Sequence, residues 1–243
     1  MAYSSMRIIG LTGGVGTGKS TVARILEQHG IPVADADQMA RQALALGSPI
    51  RERVLERYGK AIQTPSGDLD RRQLGQIVFA DAAERAWLEA QIHPFVKAQL
   101  QDFLFGLAEQ SSEAHGVLLE EGPGSQKNSG PGFSSAQGSQ TVCLMIPLLF
   151  EAHMENWASE IWVVTCTPEQ QRQRLARRDP LTPEEIEARI ASQWPLAEKV
   201  RRADVVLDNS GSLAELEAQV KQALASAGQR PFASPPRAGY SDG

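Results

Sequence analysis

The stretch that decides the fold is "GLTGGVGTGKSTVARIL", residues 10–26. A short apolar run, "RIIGLTG" (7–13), leads into it and reads as a buried strand ended by glycine. A helix from about Lys19 to His29 follows, with Val22, Ile25 and Leu26 on one face, and Gly30 and Pro32 stand where a helix stops. Between them, Gly13-Gly14-Val15-Gly16-Thr17-Gly18-Lys19-Ser20 fits the pattern GxxxxGK[ST]. Glycines let successive backbone N–H groups curl inward around a phosphate with no Cβ in the way. The helix N-terminus adds partial positive charge. Residues Gly13 to Ser20 are therefore candidates to hold a nucleoside triphosphate with Mg²⁺. Lys19 would reach the β- and γ-phosphates, and Ser20 would be the metal ligand. The bland reading, a glycine-rich turn with no ligand, does not explain the lysine and hydroxyl at the helix start.

Outward from this loop, strands and helices alternate, which predicts a parallel sheet with helices on both faces. "PVADAD" (32–37) reads as a second strand ending in acids. Residues 38 to about 109 are helical in pattern, with Asp70 and Asp81 as N-caps and a predicted break at His93-Pro94. "TVCLMIPLLFEA" (141–152), "EIWVVTCT" (160–167) and "ADVVLDN" (203–209) read as buried strands. The helices "PEQQRQRLARR" (168–178), "TPEEIEARIASQ" (182–193) and "SLAELEAQVKQALASA" (212–227) follow them, the last two opened by Thr182/Glu185 and Ser212/Glu215 capping boxes. In 122–140, Gly, Ser and Pro supply 12 of the 19 residues, too few apolar groups to offset the ordering entropy of a packed segment.

The fold class is thus α/β: a P-loop NTPase-type parallel sheet with a helical insertion and a helical lid. The division read from sequence is a core of 1–37 and 141–227, with a lid at about 168–195. A helical domain occupies 38–110, a flexible loop 111–140 and a disordered tail 228–243.

Composition bounds the function classes. A chain of 243 residues accommodates one α/β domain with an insertion, and a net charge of −5 argues against a dedicated nucleic-acid binder. "MAYSSMR" lacks the apolar core of a signal peptide, and "VCLMIPLLF" (142–150) is far short of the about 20 residues that span a bilayer. A cytoplasmic protein with no membrane and no nucleic-acid partner is expected, monomeric or weakly homo-oligomeric. Cys143 and Cys166 read as buried reduced thiols, and no His/Cys cluster suggests zinc.

Three further groups carry chemistry. Asp35 and Asp37, two apart on a predicted strand, would point the same way, outside the carboxyl end of the sheet where ligands bind. Asp37 would orient or deprotonate an attacking hydroxyl, helix capping being its structural alternative. Arg172, Arg174, Arg177, Arg178 and Arg189 form a cationic run. Solvated charge is the ordinary reading, but beside a γ-phosphoryl group a mobile arginine lid is the better one, since a guanidinium fork matches phosphate oxygens. His93, next to Pro94, is either structural or a bond to substrate exposed by a kink.

The motifs "LTGGVGTGKSTVA", "DADQMAR", "LDRRQLGQIVF", "HPFV", "IPLLFE", "QRQRLARRD", "RIASQ" and "ADVVLDNSG", in this order, make the chain resemble the dephospho-CoA kinase family over nearly all its length outside 111–140 and the tail. The resemblance implies an ATP-binding core with Gly13 to Thr21 as its phosphate loop, 38–110 as a helical acceptor-binding domain, dephospho-CoA as acceptor, Asp37 as catalytic base, Lys19, Arg174 and Arg178 as further catalytic residues, and Arg41, Phe79 and His93 in acceptor-domain motifs. Met145 stands where some members carry an aspartate, which leaves Asp35 or water to complete a Mg²⁺ shell. The rival readings are a smaller-acceptor kinase similar to shikimate kinase and a regulatory P-loop ATPase. The long helical insertion favours a larger, nucleotide-bearing acceptor over the first. For the second, no [NT]KxD guanine signature is present, and a lack of any phosphorylated acceptor would support it.

Overall fold

The computed structural model describes residues 6–117 and 140–226. The readings of 122–139 as a flexible loop and 228–243 as a tail lie outside the described residues. Among these residues the chain forms two compact units, one from 6–34 and 103–226 and the other from 35–102. The sequence reading set its divisions at 37/38 and 110/111.

The first unit is built on a five-stranded sheet. Strand β1 (Arg7–Gly13) is followed by helix α1 (Lys19–Gln28) and strand β2 (Val33–Asp35). Strands β3 (Thr141–Met145), β4 (Glu160–Thr165) and β5 (Val205–Asp208) complete the sheet in the order β2-β3-β1-β4-β5. β1 runs parallel to both β3 and β4, and β4 parallel to β5. The strand that feeds the glycine loop is therefore central, and its residues are buried on both faces, as a parallel strand requires. Ile9 and Leu11 pack with Val22, Ile25 and Leu26 of α1, with Trp162 and Val164 of β4, and with Leu216 and Val220. On the opposite face, a Cβ at Gly10 would lie 2.9 Å from Leu149 and 2.8 Å from Ala158, so only glycine fits.

Three helices follow β4 in this unit before β5: α6 (Pro168–Arg178), α7 (Pro183–Ala191) and α8 (Leu196–Arg201). The last helix, α9 (Leu213–Ala225), closes the core. The capping boxes at Thr182/Glu185 and Ser212/Glu215 form as predicted, and Thr167/Gln170 makes a third. The helix α8 carries no capping signal in sequence and is absent from the sequence reading. The predicted strand 141–152 stops at Met145, because Pro147 onward turns back over the sheet.

The second unit contains α2 (Ala36–Ala43), α3 (Pro49–Tyr58), α4 (Arg71–Ala80) and the first part of α5 (Ala82–Val117). Ile50, Val54, Ile62 and Leu74 form its core, with Trp87, Leu88 and Ile92 of α5 against them. Asp70 caps α4, accepting from Arg72 N and Gln73 N, and Asp81 accepts from Ala83 N at the start of α5. Polar links tie α3 to α5: Arg57 Nε donates to Glu84 at 2.7 Å, Tyr58 Oη donates to the same carboxylate at 2.6 Å, and the Arg57 guanidinium lies 4.5 Å from the centre of the Trp87 ring.

Two expectations are corrected. α5 is one helix through Pro94, where a break was predicted. Pro94 is exposed, so the missing N–H and the pyrrolidine ring fall on the side away from packing, and flanking turns hold the helix. α5 also continues through residues 111–117, which composition had assigned to the loop.

Candidate active site

The loop between β1 and α1 is a nest built on backbone geometry. Its last residue before the helix, Gly18, sits at φ 105°, and a Cβ there would run into the Asn209 side-chain amide. No side chain caps α1, so its N-terminus keeps the positive field that an anion needs. Thr17 is fully buried and closes the loop on itself, its hydroxyl donating to Gly14 O at 2.9 Å. The Lys19 ammonium donates to Gly14 O at 2.8 Å and Gly13 O at 3.2 Å, which folds the cation across the loop. Ser20 is exposed at the first turn of α1.

Two groups from elsewhere in the unit hold the carbonyl side of this loop. Arg174 on α6 donates from Nη1 to Thr17 O at 3.1 Å and from Nη2 to Asn209 O at 2.8 Å. Asn209, just after β5, donates from Nδ2 to Thr17 O at 2.8 Å. Arg174 thus holds the loop from its carbonyl side. Arg178, one turn on, is exposed and directed to the Asp179 carboxylate at 2.8 Å. Arg189 reaches the same Asp179 oxygen at 2.7 Å, and these two guanidinium groups hold the Asp179 carboxyl below its ordinary value. Arg172 pairs with Glu187 on α7 at 2.5 Å, so part of the cationic run is a helix-to-helix staple rather than a phosphate site. Cys166, at the end of β4, is buried and its thiol is pushed up by that burial; Cys143 is fully buried and pushed up likewise. Both cysteines are free thiols, as expected.

The second unit holds Asp37, Arg41, Phe79 and His93. The expectation for the paired aspartates needs correction. β2 ends at Asp35, which turns into the N-cap of α2 with its carboxylate accepting from Asp37 N at 2.9 Å and Gln38 N at 3.2 Å. Asp37 is therefore on the first turn of a helix and not on a strand, and the capping acid is Asp35. The cause is local: Asp35 keeps extended dihedrals and its short carboxylate reaches the free N–H groups two and three residues on. Asp37 is exposed, at the positive end of α2. Arg41 is exposed on the same helix, and its carbonyl accepts from Arg71 Nη2 at 3.2 Å. Phe79 is 58% exposed on α4. His93 is half-buried on α5, and burial lowers its pKa, favouring the uncharged ring.

Several residues around the loop were given no role by the sequence reading. Asn209, Gln171 and Gln193 all bond the loop backbone, yet asparagine and glutamine are common at turns and on helices. Lys199 is a fully buried lysine paired with Glu151 at 2.8 Å, and nothing in its helical spacing separates it from a solvated one. Among the described residues no group of three or more His, Cys, Asp or Glu side chains converges on a metal position.

A central parallel strand, a glycine nest and a helix opening on Lys-Ser define a P-loop nucleotide-binding protein. The family model for dephospho-CoA kinase matches residues 7–121 and 127–215. A dephospho-CoA kinase of Synechococcus sp. (strain JA-2-3B'a(2-13)) is 94% identical over 98% of this chain and 100% of its own length. That of Synechocystis sp. (strain ATCC 27184 / PCC 6803 / Kazusa) is 49% identical over 89% of this chain and 94% of its own. A solved Thermus thermophilus structure, 34% identical, superposes with a TM-score of 0.67 over 90% of this chain and 96% of the other. The fold of a Campylobacter jejuni dephospho-CoA kinase is also similar, at 22% identity and a TM-score of 0.54, over 91% of this chain and 97% of the other. The chain belongs to the dephospho-CoA kinase family. Among the described residues no helix is long and apolar enough to cross a membrane.

Proposed function

We propose that the protein transfers the γ-phosphoryl group of ATP to the ribose 3′-hydroxyl of dephospho-CoA, giving ADP and coenzyme A, the last step of CoA synthesis. The observation that carries this is the family match running through both units, from the phosphate loop to the strand before α9. It disfavours a shikimate-type acceptor.

In this reading the amides of Gly16, Gly18, Lys19 and Ser20 hold the terminal phosphates, and the Lys19 ammonium leaves its loop carbonyls for the β- and γ-phosphates. Both moves exchange one set of hydrogen bonds for stronger charge-assisted ones. Ser20 would hold Mg²⁺ together with phosphate oxygens and water; a single exposed hydroxyl fits that ion, which binds through substrate phosphates rather than an all-protein cage. Bound there, Mg²⁺ would neutralise charge on the triphosphate. Asp35 has one carboxylate oxygen committed to capping α2, so water is the better candidate to complete the shell.

Asp37 takes the proton of the attacking 3′-hydroxyl. The first turn of α2 holds it in position, and phosphoryl transfer asks little more of a base. Arg174 steadies the loop and faces developing charge, and Arg178 closes with its helix as part of a lid that keeps water out. In the helical unit, Arg41 supplies charge, Phe79 an aromatic face and His93 a neutral hydrogen-bonding ring for the acceptor. The enzyme works in the cytoplasm as a monomer or weak homo-oligomer.

The test is acceptor-specific turnover, read as ADP release with dephospho-CoA or shikimate. Turnover with dephospho-CoA is expected. Turnover with shikimate alone, or ATP hydrolysis with no phosphorylated acceptor, would contradict the reading.

A further inference from the structure

Two motifs remain without a chemical role, "IPLLFE" and "RIASQ", and both converge on the phosphate loop within the first unit. The last residue of "RIASQ", Gln193, accepts a hydrogen bond at Oε1 from the Val15 N–H at 2.8 Å. The Val15 carbonyl accepts from Gln171 Nε2 at 2.7 Å. Both backbone groups of one residue near the tip of the loop are thus taken by two glutamine side chains. These come from opposite ends of the arginine-bearing segment: Gln171 from α6, and Gln193 from just beyond α7. The approach is close enough that a Cβ on Gly14 would lie 2.9 Å from Gln171 Nε2.

The base of Gln193 is itself fixed. The N–H of the next residue, Trp194, donates to Glu151 Oε1 at 2.9 Å, and Glu151 ends "IPLLFE". The same oxygen pairs at 2.8 Å with Lys199, which is fully buried. Lys199 also reaches Pro147 O at 3.4 Å, and that carbonyl accepts from the Thr12 hydroxyl at 3.1 Å, one residue before the loop. The Trp194 ring stacks on Phe150 with centroids 6.0 Å apart, and the Arg202 guanidinium lies 4.9 Å from its centre. The side chain of Gln193 therefore leaves an anchored backbone and ends on a loop amide.

We infer that Gln193, assisted by Gln171, is a positioning residue for ATP: it holds the Val15 peptide so that the phosphate nest is formed before nucleotide arrives. The inference rests on the nucleotide reading of the loop. A loop of small residues has many conformations in water, and each one lost before binding is a cost removed from binding. Taking away the acceptor leaves a half-buried amide unsatisfied and lets the loop tip move. The consequence falls on ATP and not on the acceptor, whose residues belong to the other unit.

The test uses the isosteric variants Gln193→Met and Gln171→Met and their combination in the full chain. It reads KM for ATP, KM for dephospho-CoA, kcat and thermal melting. Each single variant is expected to raise KM for ATP roughly fivefold to tenfold, the loss of one hydrogen bond that strands its partner. KM for dephospho-CoA stays unchanged, and the double variant shows less than the product of the two effects because both act on Val15. A merely structural role would lower melting temperature and active fraction while leaving both KM values alone, and that result would overturn the inference. Amide hydrogen exchange at Val15 in the unaltered protein gives a second reading that needs neither a variant nor nucleotide. Slow exchange is expected, and exchange as fast as an exposed loop amide would overturn the clamp. If the unaltered protein fails to bind ATP while Val15 is protected, the nucleotide reading fails and the clamp stands.

Discussion

In the proposed reading, the phosphate loop and the helical unit each hold part of a nucleotide, with opposite materials. The loop recognises through backbone: glycines, an uncapped helix end and amides whose directions are fixed by Thr17, Arg174, Asn209 and two glutamines. The helical unit offers side chains, Asp37, Arg41, Phe79 and His93, standing on otherwise ordinary amphipathic helices. Backbone recognition demands particular residues at fixed spacing, because few sequences tolerate those dihedrals. Side-chain recognition demands only that a helix present one group. The consequence is that the first unit depends on rigidity and the second on surface chemistry.

Four outcomes would sharpen or break that contrast. The largest belongs to Asp37. Asp37→Asn is expected to lower kcat by about 10²–10⁴ while leaving ATP affinity nearly intact, the range for a general base. Steady-state kinetics and nucleotide titration check it, and an unchanged kcat removes Asp37 from that role. Next come the cores. Leu26→Ala, fully buried beneath the loop helix, is expected to cost about 2–5 kcal/mol in denaturant unfolding. Leu74→Ala, in the smaller cluster of the helical unit, should fall at about the lower end of that range, because neighbouring side chains there relax more readily.

The smallest effect concerns Glu84. Hydrogen bonds from Arg57, and then from Tyr58, hold its carboxyl down at about 2, against an ordinary value of 4.5. The Tyr58 hydroxyl is pushed up to about 12, first by burial and then by this carboxylate. With the folded-state value depressed, the stabilisation is present above pH 4.5 and is lost as pH falls toward about 2. Glu84→Gln should lower the melting temperature slightly at pH 6, and the gap from the unaltered protein should close through that acidic window. A gap independent of pH would contradict the assignment. Because the Arg57–Glu84 pair is partly exposed, the gap should also narrow with salt.

The same contrast explains what the sequence made legible. β1, the loop and α1 were readable to within a residue or two, since alternation of strand, glycines and helix has one good solution. The capping boxes at Thr182 and Ser212 were equally plain, being short-range chemistry. Asp37 was misplaced onto a strand because "PVADAD" is too short for period-two and helical patterns to separate, and Asp35 settles the matter by capping. Pro94 misled because proline costs one hydrogen bond and crowds the carbonyl four residues back, and a helix of 36 residues continues through that local cost. Gln171 and Gln193 stood only inside resemblance motifs with no role, and Lys199 stood in none, because their importance comes from distant groups that no local spacing encodes. Arg41, Phe79 and His93 stood out only through family resemblance, as side-chain recognition would lead one to expect.

The measurement that tests the central claim most directly is the amide spectrum of the full protein titrated with a non-hydrolysable ATP analogue and Mg²⁺. The largest shifts should fall on the amides of Gly16, Gly18, Lys19 and Ser20, saturating together with one binding constant. Saturable binding that leaves those four amides unmoved would contradict the claim that this loop is the phosphate site.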